Sequence, residues 1–206
     1  MTRHLTPGRL ILGLGAMALA AVVAIGLAQL VKRSSTTSPV STSGVPLPAA
    51  RASAMLAGSP PALAALHSQA GELLGGGAKA LDARLGSLKG YPVVINKWAS
   101  WCVPCREEFG AFAHASARFG RRVAFIGLDS GDPSRADPVA FLRAHPVSYP
   151  SWYDRSGALG ERITDSSFTP VTVFLARDGK LSYIHQGQYQ SLQKLEDDIK
   201  RYALNA

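Results

Sequence analysis

The chain has 206 residues, 47% of them hydrophobic, with 22 Lys and Arg against 14 Asp and Glu. That is enough apolar material for one ordinary core, with a remainder to be accounted for. The net charge of +8 does not mark a nucleic-acid binder, because Arg3, Arg9, Lys32 and Arg33 supply half of it and the rest forms no basic stripe.

In chain order, residues 1–9 read as a short cytoplasmic tail and residues 10–31 as a transmembrane signal-anchor helix. The 22 residues of that run are Leu, Ile, Val, Ala, Gly and Met, with Gln29 alone polar. As a helix they would reach roughly 33 Å, against a bilayer core of ~30 Å. A cleaved signal peptide fits less well, since its apolar region is usually about 7–15 residues. Basic residues on the two flanks tie, so orientation rests on chemistry: a domain whose two cysteines form a redox pair suits an oxidising compartment. The expected topology is a single pass in the cell membrane with the folded part on the extracytoplasmic side. Residues 32–58, rich in Ser, Thr, Pro and Ala without an apolar period, read as a flexible tether.

The folded part, residues 59–206, opens at Ser59-Pro60-Pro61, with Ser59 as the predicted N-cap. Leu63, Leu66, Ala70, Leu73 and Leu74 form one helical stripe that Gly75-Gly76-Gly77 stops. A shorter helix over residues 80–88 presents Leu81, Leu85 and Leu88. Val93, Val94 and Ile95 then predict a strand buried on both faces. Lys97 falls on the face of Val93 and Ile95, where it must snorkel at the strand end or pair with a carboxylate; snorkelling is the favoured expectation.

Trp101-Cys102-Val103-Pro104-Cys105 follows, and Cys105, Phe109, Phe112, Ser116 and Phe119 recur on one helix face. The thiols therefore sit where a strand hands over to a helix N-terminus. Unpaired N–H groups and the macrodipole favour a thiolate there. A free cysteine titrates near ~8.5, and one in a Cys-X-X-Cys at such a place at roughly 3.5–7.5. Cys102 is expected to be exposed and to attack, and Cys105, a turn further in, to resolve the mixed disulfide. Structural zinc would need four ligands, but no second cysteine pair exists and His114, His145 and His185 lack suitable spacing. No metal is expected.

Beyond the thiols, residues 123–128 read as a second strand parallel to the first, and a helix runs from Asp137-Pro138 to Pro146. A short strand near residues 151–153 and a helix near 157–163 follow. Residues 168–186 read as a hairpin turning at Arg177-Asp178-Gly179. A closing helix from Ser191 carries Leu192, Leu195, Ile199 and Tyr202 on one face.

The run Val94-Ile95-Asn96-Lys97-Trp98-Ala99-Ser100-Trp101-Cys102-Val103-Pro104-Cys105-Arg106-Glu107-Glu108-Phe109 resembles the thioredoxin superfamily. Within it, the run is most similar to the membrane-anchored TlpA/ResA-like thiol-disulfide oxidoreductases of bacteria. The resemblance covers about residues 59–204 and is strongest at 91–109 and 168–187. It implies an α/β thioredoxin fold, a central mixed sheet flanked by helices with a helical insertion, here behind one N-terminal transmembrane helix. It also implies a cis-proline at Thr169-Pro170 facing the thiols, with the Thr169 backbone and Trp101 in the client-binding site.

Glu108 stands where the family often has a glutamate suited to moving a proton. The plainer reading is a solvated first-turn acid, and the two stand level. Glu107 reads as a surface acid. Two departures are Asn96, in place of the buried aspartate usual in thioredoxin, and Lys97, in place of an aromatic. The function implied is reduction of disulfides in exported client proteins, apocytochrome c among the candidates. A membrane electron donor such as a CcdA/DsbD-like protein would recharge the pair, with no cofactor beyond a redox-active Cys102–Cys105 disulfide. The alternatives are a disulfide-forming oxidase, or a non-enzymatic thioredoxin-like binding or metal-chaperone module.

Overall fold

The computed structural model describes residues 47–205. In chain order they form α1 (Ala49–Leu56), α2 (Pro61–His67), β1 (Leu73–Leu74), α3 (Gly77–Ser87), β2 (Val93–Trp98), α4 (Val103–Phe119) and β3 (Ala124–Ser130). There follow α5 (Ala136–Ala144), β4 (Ser151–Asp154), α6 (Ala158–Thr164), β5 (Val171–Leu175), β6 (Leu181–Gln186) and α7 (Leu192–Asp198), which runs on into a π-helical segment (Ile199–Leu204). The strands make one sheet in the order β1-β4-β3-β2-β5-β6. The first four in that order are parallel, β5 runs antiparallel to β2, and β6 runs antiparallel to β5. This is the mixed sheet flanked by helices that the sequence implies.

β2 is buried along its whole length, as its unbroken apolar run requires of a strand covered on both faces. Its alternating side chains feed two cores. Val94 and Trp98 join Phe109, Phe112, Phe125 and Phe174 beneath α4 and α7, while Val93 and Ile95 join Leu63, Leu66, Leu81 and Ile126 beneath α2 and α3. Apolar burial at ~25 cal/mol per Å² holds both layers to the sheet. β2 pairs with β3 from Val93↔Ala124 to Trp98↔Asp129, and with β5 as far as Lys97↔Val171. Because β5 is antiparallel, the end of β2 and the start of β5 meet at one end of the sheet. The loop leading to Cys102 and the segment ending in Pro170 therefore emerge side by side.

Four expectations are corrected. The tether does not run to residue 58: Ala-rich α1 packs on α4 and buries Leu56, with Leu47 buried just before it. Ser59 does not cap α2; its hydroxyl donates to the Leu56 carbonyl at 2.6 Å and so closes α1, while Pro60 stands at the cap of α2. The leucine stripe is split, since α2 ends at His67 and Leu73–Leu74 pair with Ser151 and Trp152 as an edge strand. Lys97 neither snorkels nor ends on a carboxylate: it is 1% exposed, and its Nζ donates to the Ser166 carbonyl at 2.5 Å. The expected transmembrane helix at 10–31 lies outside the described residues. Among those described, no helix is long and apolar enough to cross a membrane.

Candidate active site

Trp98 ends β2, and within five residues the chain has become a helix. Cys102 is the N-cap of α4: its backbone is extended and its Sγ accepts the Cys105 N–H at 3.2 Å. Pro104 lies in the first turn, where a missing N–H costs nothing. Cys102 and Cys105 are joined as a disulfide with their Cα atoms 5.3 Å apart. Both are buried, Cys102 at 4% exposure and Cys105 at 0%, so the expected contrast survives only as a small lead for Cys102.

What is exposed is the rim. Trp101, Val103 and Phe168 stand 59%, 63% and 79% open to solvent, against the general burial of large apolar side chains in the described domain. Trp101 Nε1 reaches the Gly131 carbonyl at 3.4 Å. Beside it opens a cleft of about 520 Å³ lined by Ser100, Trp101, Arg106, Asp132, Phe141 and His145, among others. Ser100 is fixed by Asp132, which accepts from its N–H at 2.7 Å and its hydroxyl at 2.6 Å. Below the rim, Trp98, Phe109 and Phe141 meet with ring centroids 4.7–5.2 Å apart, which locks α4 and α5 to the end of β2. The Thr169-Pro170 peptide bond is cis, as the resemblance implies.

Glu108 is not the solvated acid of a first turn. It is 1% exposed on the buried side of α4, where Oε2 accepts the Tyr189 N–H at 2.9 Å and Oε1 has no hydrogen-bond partner. Burial raises its pKa from 4.5 to about 8, opposed by the Tyr189 hydrogen bond. A carboxyl of that kind can hold or yield a proton near neutral pH. Glu107 is exposed and accepts from Gln188 at 2.9 Å, as a surface acid does.

Sequence reasoning missed two features. Phe168 was read only as the start of a strand, although an aromatic two residues before Pro170 is the signal that would have marked the rim. Asp129, paired in register with Trp98, is buried near Asp132 and Asp154, and burial chiefly pushes its carboxyl up to about 9. Asp129 follows the predicted strand at 123–128, and nothing in its spacing tells of burial.

The chain resembles known proteins over this same region. Residues 59–199 match the Redoxin family. The thioredoxin-like protein YneN of Bacillus subtilis is 29% identical over 115 residues, 53% of this chain and 66% of its own. The thiol-disulfide oxidoreductase ResA of Bacillus subtilis is 28% identical over 104 residues, 50% of this chain and 57% of its own. The chain thus spans somewhat less than two thirds of these relatives' length. Among solved structures, a putative thiol:disulfide interchange protein DsbE from Chlorobium tepidum superposes with a TM-score of 0.52 at 25% identity, covering 57% of this chain and 84% of that one. The fold is thioredoxin-like.

Proposed function

The chain belongs to the Redoxin family, and from that premise we propose that it is a thiol-disulfide oxidoreductase that reduces disulfides in exported client proteins. The observation that carries the reading is the Cys102–Cys105 disulfide at the cap of α4, ringed by exposed Trp101, Val103 and Phe168. A metal-chaperone or passive binding role gives no reason for that combination. In the reduced enzyme, the Cys102 thiolate attacks one sulfur of the client disulfide, breaking it and forming a mixed disulfide. The displaced client sulfur leaves as a thiolate and takes up a proton. Glu108, in its ionised form, accepts the Cys105 proton, and the Cys105 thiolate attacks Cys102 Sγ, releasing the second client thiol. Two electrons have passed to the client, and Cys102–Cys105 is the oxidised product.

The reading extends to place. The apolar run at residues 10–31 would hold the domain at the cell membrane, on the extracytoplasmic side. There a membrane electron donor of the CcdA/DsbD-like kind would restore the thiols, and apocytochrome c is one candidate client. The test is twofold. The protein should catalyse insulin reduction by dithiothreitol, and Cys102→Ser should abolish it. Its potential, set against glutathione, should lie on the reducing side of about −200 mV. No catalysis would end the oxidoreductase reading, and a potential near about −120 mV would reverse the direction of electron flow.

A further inference from the structure

Lys97 is the one buried cation of β2, and the mechanism above does not use it. Its ammonium crosses from the strand that delivers the cysteines to the segment that delivers Thr169-Pro170, donating to the Ser166 carbonyl at 2.5 Å. The single Thr164 hydroxyl proton goes to the Gly160 carbonyl at 2.7 Å, with the Ser166 carbonyl the more distant acceptor at 3.0 Å, and Ser166 Oγ accepts the Phe168 N–H at 3.2 Å. The direction of exposed Phe168 is therefore tied, through one residue, to the head of a buried lysine. Asp165, just before, sits at φ 50°, a left-handed conformation that a non-glycine residue keeps only where its surroundings hold it. Room for the lysine is built in: a methyl at Gly160 would lie 2.6 Å from Lys97 Cε and 2.6 Å from Ser130 Oγ.

Burial of a lysine is costly, and Met would fill the same space without that cost. Burial disfavours the ammonium most strongly and the Glu161 and Asp154 carboxylates offset this only in part, so the fixed Ser166 carbonyl is the contact that places it. We infer that Lys97 is a positioning residue that holds the segment 166–170 in the shape that receives the client polypeptide, without taking part in the exchange between thiols. The inference rests on the oxidoreductase reading and deepens it: the docking edge for an extended client is set from beneath by Lys97, on the sheet face opposite the core that contains the cysteines.

The experiment compares wild type and Lys97→Met as full-length protein in detergent. Three readouts are taken: KM and kcat for insulin reduction, the rate at which dithiothreitol reduces the Cys102–Cys105 disulfide, and the thermal midpoint. The expected result is a KM for insulin raised about tenfold with kcat, the dithiothreitol rate and the midpoint held or improved. An unchanged KM, or a fall in the dithiothreitol rate and midpoint that matches the loss with insulin, overturns the inference. Should Lys97→Met not fold, Ser166→Ala, which removes the hydroxyl that accepts the Phe168 N–H, is read by the same rule. If wild type does not reduce insulin at all, the oxidoreductase reading fails instead, so the two failures are distinguishable.

Discussion

At the scale of single residues, Glu108 sets the pH behaviour of the domain. Its carboxyl titrates at about 8 when folded against 4.5 unperturbed. Between those values the folded chain keeps a proton that the unfolded chain has lost. The stability this group contributes is therefore complete at low pH and is lost as pH rises toward the folded value. Asp129, at about 9 against 3.8, acts in the same direction. The urea midpoint of the oxidised protein should fall between about pH 5 and about pH 8.5, and Glu108→Gln should make the fall shallower. A wild-type midpoint that stays flat or rises over that range would show that the two carboxyls do not set the pH dependence, the lowered His145 and His185 acting in the rising direction. On the proposed mechanism the same substitution removes the proton acceptor for Cys105, and resolution of the mixed disulfide should slow roughly 10²-fold above about pH 8, where Glu108 is ionised. Cys105→Ser should go further and trap clients on Cys102; capture on residue 102 by mass spectrometry checks the order of attack.

At the scale of elements, the strand-to-helix turn was legible because its signals are local. A β-branched run, the closely spaced cysteines and a proline between them write β2 and α4 directly into neighbouring positions, and the Asp178-Gly179 turn does the same for the β5–β6 hairpin. What escaped depends on contacts made elsewhere. Leu73 and Leu74 continue a helical stripe on paper, but β4 offers them an open edge, and pairing with it decides their conformation. α1 is only eight residues long, Ala-rich and without a side-chain cap, so composition reads it as tether. Its stability comes from Leu56 set against α4, a contact no local pattern announces. Leu56→Ala should accordingly cost about 2 kcal/mol in urea unfolding. An unchanged midpoint would return α1 to the tether. Lys97 belongs to the same lesson: periodicity gave its face, but only the fold supplied the Ser166 carbonyl that makes a buried ammonium tolerable.

At the scale of the whole molecule, the domain and the apolar run before it answer different questions, and their combination makes the proposed function specific. On the proposed function, the domain supplies a thiol pair that must be recharged after every turnover. The run at residues 10–31 supplies 22 residues with Gln29 alone polar, enough as a helix for a bilayer core of ~30 Å. The charges flanking it are balanced, Arg3 and Arg9 against Lys32 and Arg33, so they impose no orientation. Redox poise does: a Cys-X-X-Cys pair that reduces client disulfides finds such disulfides outside the cytoplasm, where they form and persist. The domain should therefore lie outside and remain attached. Protease added to intact spheroplasts should remove it and leave a small membrane-bound fragment, while a cytoplasmic marker survives. Full protection of the domain would invert the topology and remove the reason for exported clients. A mature N-terminus near residue 29, with the domain free in the medium or periplasm, would instead show a cleaved leader and leave the site chemistry untouched.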